Sequence, residues 1–345
     1  MHRRLRRRSH RGLRPRRLRR PPRLVVSRRH ASRSASPRDR DASRAYDRGA
    51  TPRRGLPQAQ PHRLGGRGGR DRVLGRHRLL PREDHRVCQS ARHGVSGIEP
   101  VQKQFGRAAA AYVESPNHAR GEDLDRIVAL ATDHGGERIV DVGTGVGHTL
   151  RRVAPSFRAA VGVDATREML EAGLGVLAGA GVKNALLIQA DATALPIASE
   201  SADVVTSRLA AHHFADAAGA FREIARILRP GGLFVLVDNY APDEPELQRF
   251  INEVETLRDP SHVRNHTVAG WRGLVERAGL RTTVDSDTAI TKLTTENWLE
   301  RSQTPPDRAE EVRRRLRTAS PSAVAAFQIA RTTFAVRKLI LIGRK

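Results

Sequence analysis

From residue 101 onward the apolar positions fall into two alternating rhythms. Phe105, Ala109 and Tyr112 share one helical face. A second stripe, Leu124, Ile127, Val128 and Ala131, runs through EDLDRIVALATDHGG until the glycine pair stops it. ERIVDVG then reads as a short buried strand. The alternation continues with helix-like GHTLRRVAPSF, strand AAVGVD, helix TREMLEAGLGVLAGAG and the strands NALLIQAD and ADVVTSRLA. Helix AAGAFREIARIL brings Phe221, Ile224, Ala225 and Leu228 together, PGG closes it, and LFVLVDNY is the next strand. Strands alternating with helices predict an α/β fold with a doubly wound, mostly parallel sheet.

Beyond residue 244 the rhythm changes. PELQRFINEVETLR carries one apolar stripe, Leu247, Phe250, Ile251, Val254 and Leu257. The polar loop DPSHVRNHT separates it from VAGWRGLVERAGL. RTTVDSDTAI and FAVRKLILIGRK supply a sixth and a seventh strand. The expected domain is therefore 101–345, with lid helices at 101–134 and a helical lid insertion at 244–280.

Charge separates this body from what precedes it. The chain has 345 residues and a net charge of +25. Residues 1–100 hold 30 Arg, no Lys and 7 acids, a net of +23, whereas the remainder holds 32 basic and 30 acidic residues, a net of +2. Those first hundred residues contain only 15 Leu, Ile, Val or Phe, too few for a core, and are expected to be disordered. Three readings compete: a nucleic-acid-binding tail, a targeting peptide, or a start codon set too early in GC-rich DNA. Arg without any Lys favours the third, with a start near Val95 or Val101. The single cysteine, Cys88, leaves no disulfide framework and no cysteine metal site, so a reducing, cytoplasmic setting is expected. No apolar run approaches the roughly 18 residues of a membrane span.

The candidate chemistry begins at VDVGTGVGHTL. A glycine-rich turn between strand and helix brings backbone N–H groups to a ligand. The dinucleotide spacing is G-x-G-x-x-G, but here Gly143, Gly145 and Gly147 are spaced G-x-G-x-G, with His148 in the place of the third glycine. Asp141 stands two residues before the turn, where it suits a ligand with an ammonium group and repels a pyrophosphate. Asp164, ending the next strand, suits two ribose hydroxyls, and Asp191, ending the third, suits an exocyclic amine such as adenine's. Ammonium, ribose and adenine together describe S-adenosylmethionine. Met169 occupies a helix position able to pack on the adenine or to serve the core.

These segments, with FGRAAAAYVESPNHARG and ILRPGGLFVLVD, resemble the class I S-adenosylmethionine-dependent methyltransferases, in the small-molecule group that includes ubiquinone/menaquinone C-methyltransferases. The resemblance covers 101–345 and none of the leader. It implies a Rossmann-like, seven-stranded sheet. It adds Thr144, Ala165, Ala192 and Arg208 to the cofactor residues Asp141, Gly143, Gly145, Gly147, Asp164, Met169 and Asp191. Arg208 is equally placed to anchor the region or an anionic substrate. His212 and His213 follow the fourth strand, where the reactive methyl group lies in this fold, and are candidate general bases. Tyr112, Ser115 and His118 on the leading segment, Asp238 on the fifth strand, and His262 and Arg264 in the polar loop with Asp259 and Ser261 are candidate lid or substrate residues. No metal-ligand spacing is present, and no metal is expected.

The resemblance thus points to methyl transfer onto a small-molecule acceptor. Its rivals are an RNA methyltransferase with a basic tail and a non-catalytic S-adenosylmethionine-binding protein; a nicotinamide enzyme is disfavoured by the glycine spacing. TSRLAAHHF stands where base N-methyltransferases carry an Asn/Asp-Pro-Pro-Tyr/Phe turn, so a nucleic-acid partner is not expected unless the basic leader provides one.

Overall fold

The structure, a computed structural model, describes residues 87–89 and 97–345. Of the leader expected over 1–100, residues 1–86 and 90–96 lie outside the described residues. Among the described residues eight strands form one sheet: β1 (Val87–Gln89), β2 (Arg138–Val142), β3 (Ala159–Asp164), β4 (Ala185–Gln189), β5 (Ala202–Arg208), β6 (Leu228–Tyr240), β7 (Arg281–Thr294) and β8 (Thr333–Arg344). Their order is β1-β4-β3-β2-β5-β6-β8-β7. All pairs from β1 to β6 are parallel, and β8 runs antiparallel between β6 and β7. Seven strands are the expected Rossmann-like sheet. The eighth, β1, comes from the stretch assigned to the leader and pairs with β4.

The helices are α1 (Glu99–Val113), α2 (Pro116–Ala119), α3 (Glu122–His134), α4 (His148–Val153), α5 (Arg167–Gly179), α6 (Ala217–Ile227), α7 (Pro245–Arg258), α8 (Val268–Arg277), α9 (Thr295–Arg301), α10 (Pro306–Arg317) and α11 (Pro321–Ala326). On one sheet face Ile127 of α3, Leu150 of α4 and Leu170 and Leu177 of α5 pack on Ile139, Val204 and Val235. On the other, Phe221 and Ile224 of α6 and Trp271 and Val275 of α8 pack on Val205, Phe234 and Leu341. Burying each such side chain stabilises by about 1.5–3 kcal/mol, and two covered faces explain why the central strands read as unbroken apolar runs.

The insertion expected at 244–280 divides in two. Helix α8 belongs to the sheet: Trp271 is fully buried, and its indole N–H donates to the Asn239 carbonyl at 3.0 Å. Helix α7 instead joins α9, α10 and α11 around a separate cluster in which Leu247, Ile251, Trp298, Val312 and Phe334 meet. Helices α9–α11 have no counterpart in the sequence reading. Helix α10 buries only Ala309, Val312 and Leu316 among nine other residues, most of them charged. The strand order reverses at β2, with β3 and β4 on one side and β5 and β6 on the other. A crevice opens at the carboxyl ends of strands at such a point.

Candidate active site

The glycine turn closes β2 and enters α4. Gly143, at φ +73°, lies so close to Ala210 that a Cβ there would meet the alanine methyl at 2.4 Å. Gly145, at φ +54°, has room for a Cβ but holds a backbone conformation that side-chain-bearing residues avoid. Two carboxylates brace the turn. Asp141 is buried beneath it, one oxygen accepting from Thr144 Oγ1 and the other from Thr206 Oγ1, each at 2.7 Å. Asp164 accepts from the Gly145 amide through Oδ2 at 2.8 Å and from the Thr166 amide through Oδ1 at 2.9 Å.

Above the turn is a cavity of about 330 Å³. Its wall includes Gly143, Thr144 and Gly145, then Asp164 and Ala165 beyond β3, Met169 on α5, Asp191 and Ala192 beyond β4, and Arg208 ending β5. Nine of the eleven predicted cofactor residues are thus brought together. Gly147 is not among them: at φ +80° it caps α4, and its open side faces Leu177 of α5 at 3.7 Å. Asp141 is the second correction. It is 1% exposed and lies behind Thr144, so its influence on a ligand is electrostatic rather than by contact.

The cavity fits the proposed cofactor on its own chemistry. Asp191 Oδ1 takes the Thr193 amide and hydroxyl at 2.7 and 2.8 Å, leaving Oδ2 without a protein donor among the described residues. Each Asp164 oxygen keeps a lone pair beyond its backbone bond. Met169 serves both readings offered for it, packing with Ala108, Ala109, Tyr112 and Val146 while lining the cavity. Arg208 holds the region together: Nε donates to Asp123 at 2.8 Å and an NH group to the His118 carbonyl at 2.8 Å.

Burial pushes Asp141 up to about 6, against the pull of its two threonine hydroxyls and Arg208. A cationic ligand above the turn favours the ionised carboxylate. Binding below pH 6 then releases a proton, so affinity falls as pH drops. S-adenosylmethionine is expected to bind about tenfold more weakly at pH 5 than at pH 7.5, since each pH unit below the pKa costs up to about tenfold. Calorimetry across that range checks this. A flat profile, or an Asp141→Asn variant with the parent's pH dependence, would remove Asp141 from the linkage.

A second chamber, of about 70 Å³, adjoins the first and shares Phe105, Tyr112, His118, Leu209 and His213 with it. His212 lines only this chamber. Its Nδ1 meets Asp238 Oδ1 at 2.6 Å, and Asp238 is fully buried. A carboxylate can only accept, so Nδ1 carries the proton and Nε2 is the free base. Burial pulls the His212 pKa down, but the charge and hydrogen bond of Asp238, aided by Glu255 and Asp259, outweigh it, and the net shift is upward. His213 lacks such a partner. Its Nδ1 meets the Ser261 carbonyl at 3.1 Å, and burial together with His212 lowers it to about 4.

The remaining lid candidates separate. Tyr112 and His118 line both spaces. Ser115 supports His118, its hydroxyl 2.8 Å from His118 Nδ1. Asp238 acts behind His212. His262 lines neither space: its Nε2 meets Asn252 Oδ1 at 2.9 Å, and burial and the neighbouring histidines lower it to about 2. Arg264 is exposed, and only its backbone amide matters here, donating to the His212 carbonyl at 3.1 Å. The polar loop buttresses the histidine turn through these contacts.

Sequence reasoning missed both ends of the wall. Gly97, Ile98 and Val101 line the cofactor cavity, although the first two were assigned to the leader. A chain beginning at Val101 loses Ile98 and the first two residues of α1. It is expected to bind S-adenosylhomocysteine about fivefold more weakly than the full chain, the effect of roughly 1 kcal/mol of lost apolar contact. Equal affinity in calorimetry would show that this end contributes nothing. Glu255, Arg258, Trp298, Arg301 and Lys338, which line the second chamber, were also missed.

Comparison with known proteins agrees with this geometry. Residues 140–236 match the family model described as a methyltransferase domain. The chain is 37% identical over 225 residues to the uncharacterized methyltransferase YcgJ of Bacillus subtilis (strain 168), covering 65% of this chain and 88% of that protein. The crystal structure of YcgJ superposes with a TM-score of 0.62, covering 65% of this chain and 97% of the other. A demethylmenaquinone methyltransferase of Roseiflexus castenholzii is 36% identical over 157 residues, 44% of this chain and 64% of its own length. With the turn, the two strand-end carboxylates and the parallel sheet in the family's arrangement, the chain belongs to the S-adenosylmethionine-dependent methyltransferases.

Proposed function

We propose that this enzyme methylates a small organic acceptor, with His212 as the base that takes the acceptor's proton. The observation that supports this most is the second chamber. It adjoins the cofactor cavity, is about 70 Å³, and sets Phe105, Tyr112, Leu293, Trp298 and Val336 among charged and polar side chains. That is the size of a substituent or small ring portion, not of a nucleic-acid backbone. The demethylmenaquinone methyltransferase among the relatives also acts on an organic molecule by its name.

When bound, S-adenosylmethionine supplies an activated methyl group on a sulfonium. The protein's own work is alignment, exclusion of water and proton removal. Asp164 and Asp191 hold the ribose and adenine ends, and the turn receives the remainder. Phe105, whose ring meets Tyr112 at 5.4 Å and His213 at 5.0 Å, closes the boundary between the two spaces. His212 is the stronger base of the pair: Asp238 stabilises its imidazolium, whereas His213 at about 4 accepts a proton weakly at neutral pH. Among the described residues no helix is long and apolar enough to cross a membrane. We place the enzyme in the cytoplasm because its one cysteine points to a reducing setting.

The test is a transfer assay with the full chain, labelled S-adenosylmethionine, and separate pools of small metabolites and total RNA. A metabolite gaining one methyl group is expected. Label entering RNA instead would favour the basic-tail alternative and overturn the small-acceptor reading.

A further inference from the structure

The second chamber is rich in cationic side chains. Its wall holds three cations, Arg258, Arg301 and Lys338, and one carboxylate, Glu255. Arg258 is paired with Glu255 at 3.1 Å and Lys338 with Asp123 at 3.4 Å, and Asp123 also holds Arg208. Behind the histidines, Asp238 is engaged by His212, and Asp259 by the Ser261 amide and hydroxyl. Among the described residues no carboxylate lies within ion-pair distance of Arg301, and Glu255 acts on it only through its charge.

Both arginines have unused donors. Arg258 Nε and Arg301 Nε are buried and lack an acceptor among the described residues. Burial, followed by the charge of Arg258, disfavours the charged form of Arg301, which the Tyr112 hydroxyl relieves in part. Arg258 is held in place, 4.7 Å over the ring of Trp298. A surface arginine in this state would be unremarked, since water would serve it. A desolvated guanidinium beside another is costly until an anion completes it. Both guanidinium groups line the chamber, and a guanidinium fork matches the two oxygens of a carboxylate.

The geometry points to an anion subsite here: the methyl acceptor is a small organic carboxylate, its charge received by Arg258 and Arg301 and its apolar body by Leu293, Trp298 and Val336. The volume agrees. About 70 Å³ is room for roughly five water-sized groups, at about 15 Å³ each, enough for a carboxylate and a short stem. The rest of the acceptor then reaches the shared wall at Tyr112 and His213, next to the cofactor cavity. This inference rests on the small-acceptor reading above.

The experiment titrates the full chain, saturated with S-adenosylhomocysteine, with benzoate, phenylacetate and 4-hydroxybenzoate, with the neutral amide of each, and with inorganic phosphate. At least one carboxylate is expected to bind about tenfold or more tightly than its amide, as a charge-assisted pair is stronger than a neutral one. Arg301→Gln is expected to erase that preference while S-adenosylhomocysteine binds within twofold of the parent, because Arg301 does not line the cofactor cavity. Arg301→Lys, which keeps the charge, is expected to retain part of it. Equal binding of acids and amides, an unchanged preference in Arg301→Gln, or phosphate binding more tightly than every carboxylate would overturn the subsite. Binding and transfer are read separately. Label entering RNA in the transfer assay overturns the small-acceptor reading, whereas loss of the carboxylate preference overturns only the anion subsite.

Discussion

Replacing Asp164 by alanine is expected to weaken S-adenosylhomocysteine binding by about 100- to 1,000-fold, roughly 3–4 kcal/mol. Two losses combine. The ribose hydroxyls lose a charged acceptor, at about 1.5–3 kcal/mol per bond before non-additivity. The turn loses its brace, because the same carboxylate accepts from the Gly145 and Thr166 amides. Size alone suggests that Asp164→Asn should be milder. The structure argues against that: both oxygens already serve backbone donors, so an amide NH2 group would face one of those N–H groups. Asn is therefore expected to lose nearly as much as Ala. Calorimetry on folded variants, with thermal melting as the control, decides it. Affinity within twofold of the parent in Asp164→Ala would remove the residue from the ribose site.

The sheet, and the cavity wall where nine candidate residues meet, were legible because each rests on short-range signals. Strand-end acids, the glycine spacing and buried apolar runs lie within a few residues of one another, and the fold brings Asp164 and Asp191 to one crevice simply by making the strands parallel. Gly147 and Asp141 show the limit of that reasoning. Spacing places them in the turn, but only the backbone path tells that one faces α5 and the other lies under Thr144. The second chamber was legible only at Tyr112, His118, His212 and His213. Most of the residues that escaped sequence reasoning come from α7, α9, β7 and β8, separated by long intervals, and α9–α11 carry too few apolar positions to announce themselves. The likeness of Arg258 and Arg301 to ordinary surface arginines in the sequence hides their burial. Gly97 and Ile98 were lost to the leader because the change of charge was read as the edge of the fold.

With an acceptor identified, His212→Gln is expected to lower kcat by about 100- to 10,000-fold, the usual range for removing a general base. S-adenosylhomocysteine affinity should stay within about threefold, because His212 lines the second chamber and not the cofactor cavity. That split separates a lost base from a damaged fold. Asp238→Asn provides the positional test. Asp238 raises the His212 pKa, so its loss lowers that pKa. Catalysis needs the neutral imidazole, and the acidic limb of the kcat/KM profile should move to lower pH. The plateau should fall at the same time, since a weaker base draws the proton less strongly. A merely structural role for the pair would lower activity without moving the limb. If His212→Gln keeps kcat within fivefold of the parent, the acceptor arrives already deprotonated.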